Sequence, residues 1–165
     1  MKQLVWLWLW VLCAAPAAAQ TDTLPPAFQP NLCLTPQQFA QRALVPKDTI
    51  WVVDFWASWC RPCLEGMQEM KRLYPTVRGQ RVEFIGINID ETPQSFLYFL
   101  HTFQVPWPQV HFPPATSDAW VQRHFRFQGI PALFIIGHDG SVRPVRMWWQ
   151  LERELVKAVK RRGGG

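Results

Sequence analysis

Ile50-Trp51-Val52-Val53-Asp54-Phe55-Trp56-Ala57-Ser58-Trp59-Cys60-Arg61-Pro62-Cys63 is the stretch on which the reading of this chain turns. Its first seven residues are β-branched or aromatic apart from Asp54, which predicts a buried strand. Behind the second cysteine, apolar residues recur at Cys63, Met67, Met70 and Tyr74, with Leu64 and Leu73 beside them, the spacing of a helix. Two cysteines three apart at a helix start share one face and lie within reach of a disulfide. The first falls at the helix N-terminus, where unpaired N–H groups and the macrodipole favour a thiolate. A thiol whose pKa is lowered in this way is a nucleophile near neutral pH. Pro62 suits the first turn, since it has no N–H to leave unpaired and its φ is already helical. The pattern is that of a redox dithiol. A zinc knuckle and a structural disulfide are the alternatives; zinc needs four ligands, and the sequence has no second C-x-x-C or H-x-x-H pair.

At 165 residues the chain is long enough for one domain with a full core. Hydrophobic content of 48% and charged content of 18% describe a globular protein. The formal charge of +5 is modest, and basic residues gather in the last helix at Lys157, Lys160, Arg161 and Arg162, where they complement a helix C-terminus. Nucleic acid is not an expected partner. Lys2 is followed by an apolar run from Leu4 to Cys13 and by Ala17-Ala18-Ala19, the form of a secretory signal peptide. Residues 1–19 are therefore read as a signal, 20–34 as a proline-containing extension, 35–162 as the domain and 163–165 as a tail. The expected location is exported and periplasmic, with membrane anchoring if the signal stays uncleaved. Export leaves Cys33, Cys60 and Cys63, an odd number for an oxidising compartment. Cys33 reads as a small buried hydrophobe, with a regulatory disulfide as the alternative.

Val53 to Cys63 resembles the active-site stretch of the thioredoxin superfamily, and with an export signal in front it is most similar to the TlpA/ResA-type disulfide reductases. A second stretch, Gly129-Ile130-Pro131-Ala132-Leu133-Phe134-Ile135-Ile136, is similar to the segment in which these proteins carry a cis-proline against the dithiol. The resemblance implies an α/β thioredoxin fold, a mixed central β-sheet with helices on both faces. It implies catalytic roles for Cys60 as the exposed attacking thiol, Cys63 as the resolving thiol, Asp54 as a buried proton carrier and Glu91 as a second acidic group near the sulfurs. Trp59, Arg61, Pro62, Ile130 and Pro131 would frame the substrate groove, Arg61 also adding positive charge that favours the thiolate. Desolvation is expected to raise the Asp54 pKa; a satisfied structural aspartate is the bland alternative. The implied substrates are disulfides of exported proteins, apocytochrome c or copper-site proteins among them. The implied electron source is a membrane-bound thiol reductant. No cofactor and no metal are expected, and the protein is expected to be a monomer. Reduction is the leading direction; a disulfide oxidant or isomerase with the same site, and a non-catalytic module binding clients or copper, are the rivals. One departure stands out: TlpA-type proteins usually carry Glu where this chain has Gly66, and Pro where it has Gln68.

The remaining elements follow from periodicity. Asn31 to Leu34 reads as a short edge strand, and Thr35-Pro36-Gln37-Gln38 opens a helix through Phe39, Ala43 and Leu44. Tyr74-Pro75 is expected to break the motif helix. Arg81 to Ile89 is a second strand, Gln94 to Phe103 a helix with Phe96, Phe99, Leu100 and Phe103 on one face, and Ser117 to Phe125 a short helix. Gly137-His138-Asp139-Gly140 closes a hairpin, and Leu151, Leu155 and Val159 face inward from the last helix. Met67 and Met70 read as core. The four histidines lack ligand spacing. Trp148-Trp149 reads as packing of the last helix against the sheet, with an exposed partner site as the alternative.

Overall fold

The computed structural model describes residues 48–112 and 123–162. The expected signal, extension, Cys33, first strand and first helix, the body of the 117–125 helix and the tail lie outside the described residues. The run that decided the sequence reading is β1, Ile50–Trp56. It occupies the middle of a five-stranded sheet of order β3-β2-β1-β4-β5, with β2 Val82–Asn88, β3 Gln109–His111, β4 Ala132–Ile136 and β5 Val142–Val145. β1 runs parallel to β2 and antiparallel to β4, and β3 is parallel to β2. A strand covered on both faces reads as a continuous apolar run, which is why β1 shows almost no alternation.

The alternation is nevertheless present in what each side chain meets. Ile50, Val52 and Trp56 join a core with Met67, Met70, Phe96, Leu100, Leu151 and Leu155. These come from α1 Arg61–Val77, α2 Pro93–Phe103 and α3 Leu151–Arg162. Val53 and Phe55 point the other way, among Ile85, Ile87, Phe134 and Phe125. α1, α2 and α3 thus share one face. The connections β1-α1-β2 and β2-α2-β3 step across the sheet in the same direction, and right-handed crossovers place both helices on the same side. Met67, fully buried at the centre of this face, anchors α1; its truncation to Ala costs about 2–5 kcal/mol by loss of contacts and the cavity left behind.

Three local expectations change. Tyr74-Pro75 does not break α1, which continues to Val77 with Pro75 in its last turn. The turn closes without the proline N–H, because Arg78 N donates to Tyr74 O at 2.9 Å and Thr76 Oγ1 to Leu73 O at 2.7 Å. β3 is a strand that periodicity missed: three residues behind Pro106 and Pro108 are too short to show a pattern. Trp148 lies in a 3-10 turn, Trp148–Gln150, and its indole packs on Gly66 of α1, while Trp149 is 59% exposed. The hairpin closes as expected, with Gly137 N donating to Ser141 O at 2.8 Å.

Gly86 in β2 has a packing role. The Gln109 carboxamide crosses over it, and a methyl group at residue 86 would land on that amide. Gln109 Oε1 accepts the Trp56 indole N–H at 2.9 Å, in a site where Gln109 is 1% exposed. Gly86→Ala displaces the amide and orphans the buried indole donor, so urea unfolding is expected to find the variant about 2–4 kcal/mol less stable. A loss below about 1 kcal/mol is incompatible with this packing.

Candidate active site

Cys60 is the N-cap of α1. Its carbonyl accepts the first helical bonds, from Cys63 N at 3.0 Å and Leu64 N at 3.2 Å, and its own N–H donates to Ala57 O at 3.0 Å. No side chain caps this end of the helix and no acidic residue lies in its first turn, so the N-terminal field is uncompensated where the sulfur sits. Cys60 and Cys63 form a disulfide with a Cα–Cα separation of 5.3 Å. The molecule is in its oxidised form.

One expectation is corrected here. Cys60 is not exposed: it is 5% accessible and belongs to the core cluster with Ala57 and Cys63. The bond to the buried Cys63 draws it against the protein, and solvent meets its neighbours instead. Trp59 is 68% exposed, Arg61, Pro62 and Pro131 are exposed, and Ile130 is half-buried. Arg61 pairs with Glu65 at 3.2 Å, both largely solvated, an arrangement in which its field is screened and the pair itself is worth little. The Ile130-Pro131 peptide bond is cis.

Asp54 lies on the helix face of β1, opposite Gly86 on one side and Leu133 on the other. It is 4% exposed, and its Oδ2 is buried without a hydrogen-bond partner. Burial pushes its pKa from 3.8 up to about 7, because the low-dielectric surroundings penalise the charged form. A cavity of about 20 Å³ brings Asp54 together with Cys63, Pro62 and Pro131. That volume is about what one water molecule occupies. Gly66, Arg146, Met147 and Trp148 take part in its lining.

The acidic residue engaged with the loop before Cys60 is Asp90, which sequence reasoning passed over. Asp90 is 2% exposed. Its carboxylate accepts from Ser58 N at 3.0 Å, Ser58 Oγ at 2.9 Å and Asn88 Nδ2 at 2.8 Å. The His111 ring nitrogen bonds its carbonyl at 2.9 Å. This ties the end of β2 to the segment two residues before Cys60, with charge-assisted bonds that are the stronger kind. Glu91, the residue expected to approach the sulfurs, is exposed. The signal that could have singled out Asp90 is its place directly after a buried strand, facing a Ser that precedes the dithiol. No helix among the described residues is long and apolar enough to cross a membrane.

The chain is similar to known proteins. The ResA thiol-disulfide oxidoreductase of Geobacillus kaustophilus is 29% identical over 93 residues, covering 56% of this chain and 51% of that protein; the chain spans about half the length of that relative. The thioredoxin domain of a thiol-disulfide oxidoreductase from Bacteroides vulgatus superposes with a TM-score of 0.62 at 18% identity, over 68% of this chain and 81% of that one. A thioredoxin-related protein from Neisseria meningitidis serogroup B gives 0.60 at 24% identity, over 72% and 88%. At such identities the two structures speak for the fold alone. The model of the thioredoxin-like family matches residues 48–142, from just before the central strand to the first residue of β5. With the five-stranded mixed sheet and the dithiol at the handover from β1 to α1, the chain belongs to the thioredoxin-like family.

Proposed function

We propose that this protein is a thiol-disulfide oxidoreductase that reduces disulfides of exported proteins through Cys60 and Cys63. The observation that carries the reading is the cavity in which the second sulfur's residue, the cis-proline and a buried carboxylate meet. In the reduced protein the Cys60 thiolate attacks one sulfur of a substrate disulfide. A Cys60–substrate bond forms, the substrate S–S bond breaks, and the released substrate thiolate takes a proton from solvent. Cys63 then gives its proton to Asp54, and its thiolate attacks Cys60 Sγ. The Cys60–Cys63 disulfide forms, the second substrate sulfur leaves as a thiolate and takes a proton from solvent, and two electrons have passed to the substrate. A dithiol reductant, membrane-bound in the reading argued from the sequence, restores the reduced form. Trp59, Arg61, Pro62, Ile130 and Pro131 are given the substrate groove, where the backbone of the Ile130-Pro131 segment is proposed to bond an extended segment of substrate.

Asp54 supports both the step and its direction. A base whose pKa is near the working pH combines the right protonation state with adequate driving force. A buried carboxylate beside Cys63 also disfavours a second negative charge there, which penalises the thiolate and favours the disulfide. This effect at Cys63 supports the reductant direction proposed here. Glu91 is exposed, and Asp90 takes the anchoring role beside the loop.

Cys60→Ser is expected to abolish insulin reduction, and Cys63→Ala to accumulate a mixed disulfide that names the client. Efficient turnover by Cys60→Ser rules out this mechanism. Equilibration with glutathione is expected to give a midpoint below about −230 mV, more reducing than the glutaredoxin range; a value near that of protein disulfide isomerase reverses the direction. Asp54→Asn is expected to slow reduction about 100-fold at pH 7. Its stability gain reports the burial independently. Because the folded pKa lies above the unfolded one, wild-type stability is full below about pH 4 and is lost as pH rises through about 7. The stability difference between Asp54→Asn and wild type thus grows across that window, by roughly 4 kcal/mol, and levels off above it. A difference that does not vary with pH contradicts the buried, protonated carboxyl.

A further inference from the structure

Two oddities of the sequence, Gly66 and Trp148, meet in one contact. A Cβ on Gly66 would sit 2.7 Å from Trp148 Cδ1 and 3.1 Å from Cγ, closer than real side chains approach, so the indole lies directly on the backbone of α1. Gly66 is three residues beyond Cys63, one turn along the helix face that the second cysteine shares. Both Gly66 and Trp148 line the cavity that holds Asp54 and Cys63. That cavity has a buried carboxylate oxygen with no partner on one side and an indole that only glycine admits on the other.

We propose that Trp148 is a positioning residue: laid on Gly66, its indole shuts solvent out of the cavity shared by Asp54 and Cys63. The inference rests on the role given to Asp54 above and adds the element that keeps it dry. With bulk water excluded, the proton of the second thiol has Asp54 as its acceptor within the cavity. The raised proton affinity of Asp54 has burial as its cause, and the indole supplies part of that burial. The groups facing Asp54 are few. α1 contributes Cys63, β2 contributes Gly86 and β4 contributes Leu133. The segment after β5 contributes Arg146, the one charged side chain besides Asp54 itself in the cavity lining among the described residues. No ion pair among the described residues joins Arg146 to Asp54.

The test is titration of the Asp54 carboxyl in the oxidised full chain, by carbon-13 NMR, with Asp54→Asn identifying the signal. Trp148→Ala is expected to lower the Asp54 midpoint by at least about one pH unit as water enters, and Trp148→Phe to keep most of the wild-type value. Gly66→Ala, which pushes the indole away, is expected to shift it in the same direction. Should Trp148→Ala fail to fold, Trp148→Leu and Gly66→Ala carry the measurement. The double variant Trp148→Ala/Arg146→Gln is expected to keep the drop; its disappearance there assigns the effect to the guanidinium and overturns the seal. An unmoved midpoint in folded Trp148→Ala or Trp148→Leu overturns it as well. A lowered midpoint alongside an Asp54→Asn variant as active as wild type upholds the seal and removes instead the proton role given to Asp54.

Discussion

A carboxylate has been placed where water is scarce, on the central strand and beside a disulfide. Asp54 sits between Gly86 and Leu133 with one oxygen unpartnered, a state that costs free energy unless the group takes up a proton. The surroundings are built to keep that cost in place. β1 is covered on both faces, α1 brings Cys63 over the carboxyl, and Trp148 meets α1 at the one position that has no side chain. In the proposed mechanism, the burial that costs stability when Asp54 ionises is also what tunes the group for proton exchange near neutral pH. Polar groups strained in this manner concentrate at functional sites.

Other buried polar side chains of this layer, Asp90 and Gln109, are hydrogen-bonded, and the contrast with Asp54 separates scaffold from chemistry. Asp90 is as buried as Asp54, yet its oxygens take up Ser58 and Asn88, and its carbonyl engages His111, which in turn stacks on Phe96 of α2 at 5.3 Å. The result is a rigid link from β2 and β3 to the segment before Cys60. Trp56 and Gln109 form a second link across the sheet, 53 residues apart in sequence. Lys71 Nζ bonds Phe103 O at 2.6 Å and holds the middle of α1 against the end of α2. The dithiol therefore stands on three elements fixed to one another, which is the preorganisation that exchange chemistry requires of its nucleophile.

Much of this was written in the sequence because it is local. The apolar run 50–56, the helical spacing after Cys63 and the Gly137–Gly140 turn each carry their own period or turn chemistry, and each formed where that chemistry put it. The C-x-x-C motif fixes two sulfurs on one helix face whatever surrounds them. Asp54 was conspicuous as the lone charge in an apolar strand.

What the sequence could not disclose depends on residues far apart in the chain. The resemblance implies an accessible Cys60, but its accessibility is decided by its packing in the core beside its disulfide partner Cys63. Pro75 looked like a terminus, yet a last turn can close around a missing N–H when its neighbours supply other donors. Three residues of β3 carry no period of their own and are a strand only because β2 lies beside them. Asp90 and Glu91 are adjacent carboxylates with no local difference; one is buried against Ser58 and the other solvated, and only the packing of β2 against the loop distinguishes them. Gly66 read as a departure from a pattern until Trp148, 82 positions later, was seen to occupy the space its side chain would have filled. Period and composition fix elements and the sulfur pair, since these follow from the chain's own geometry; which groups are dry, paired or covered is settled by contacts between segments that have no memory of one another along the backbone.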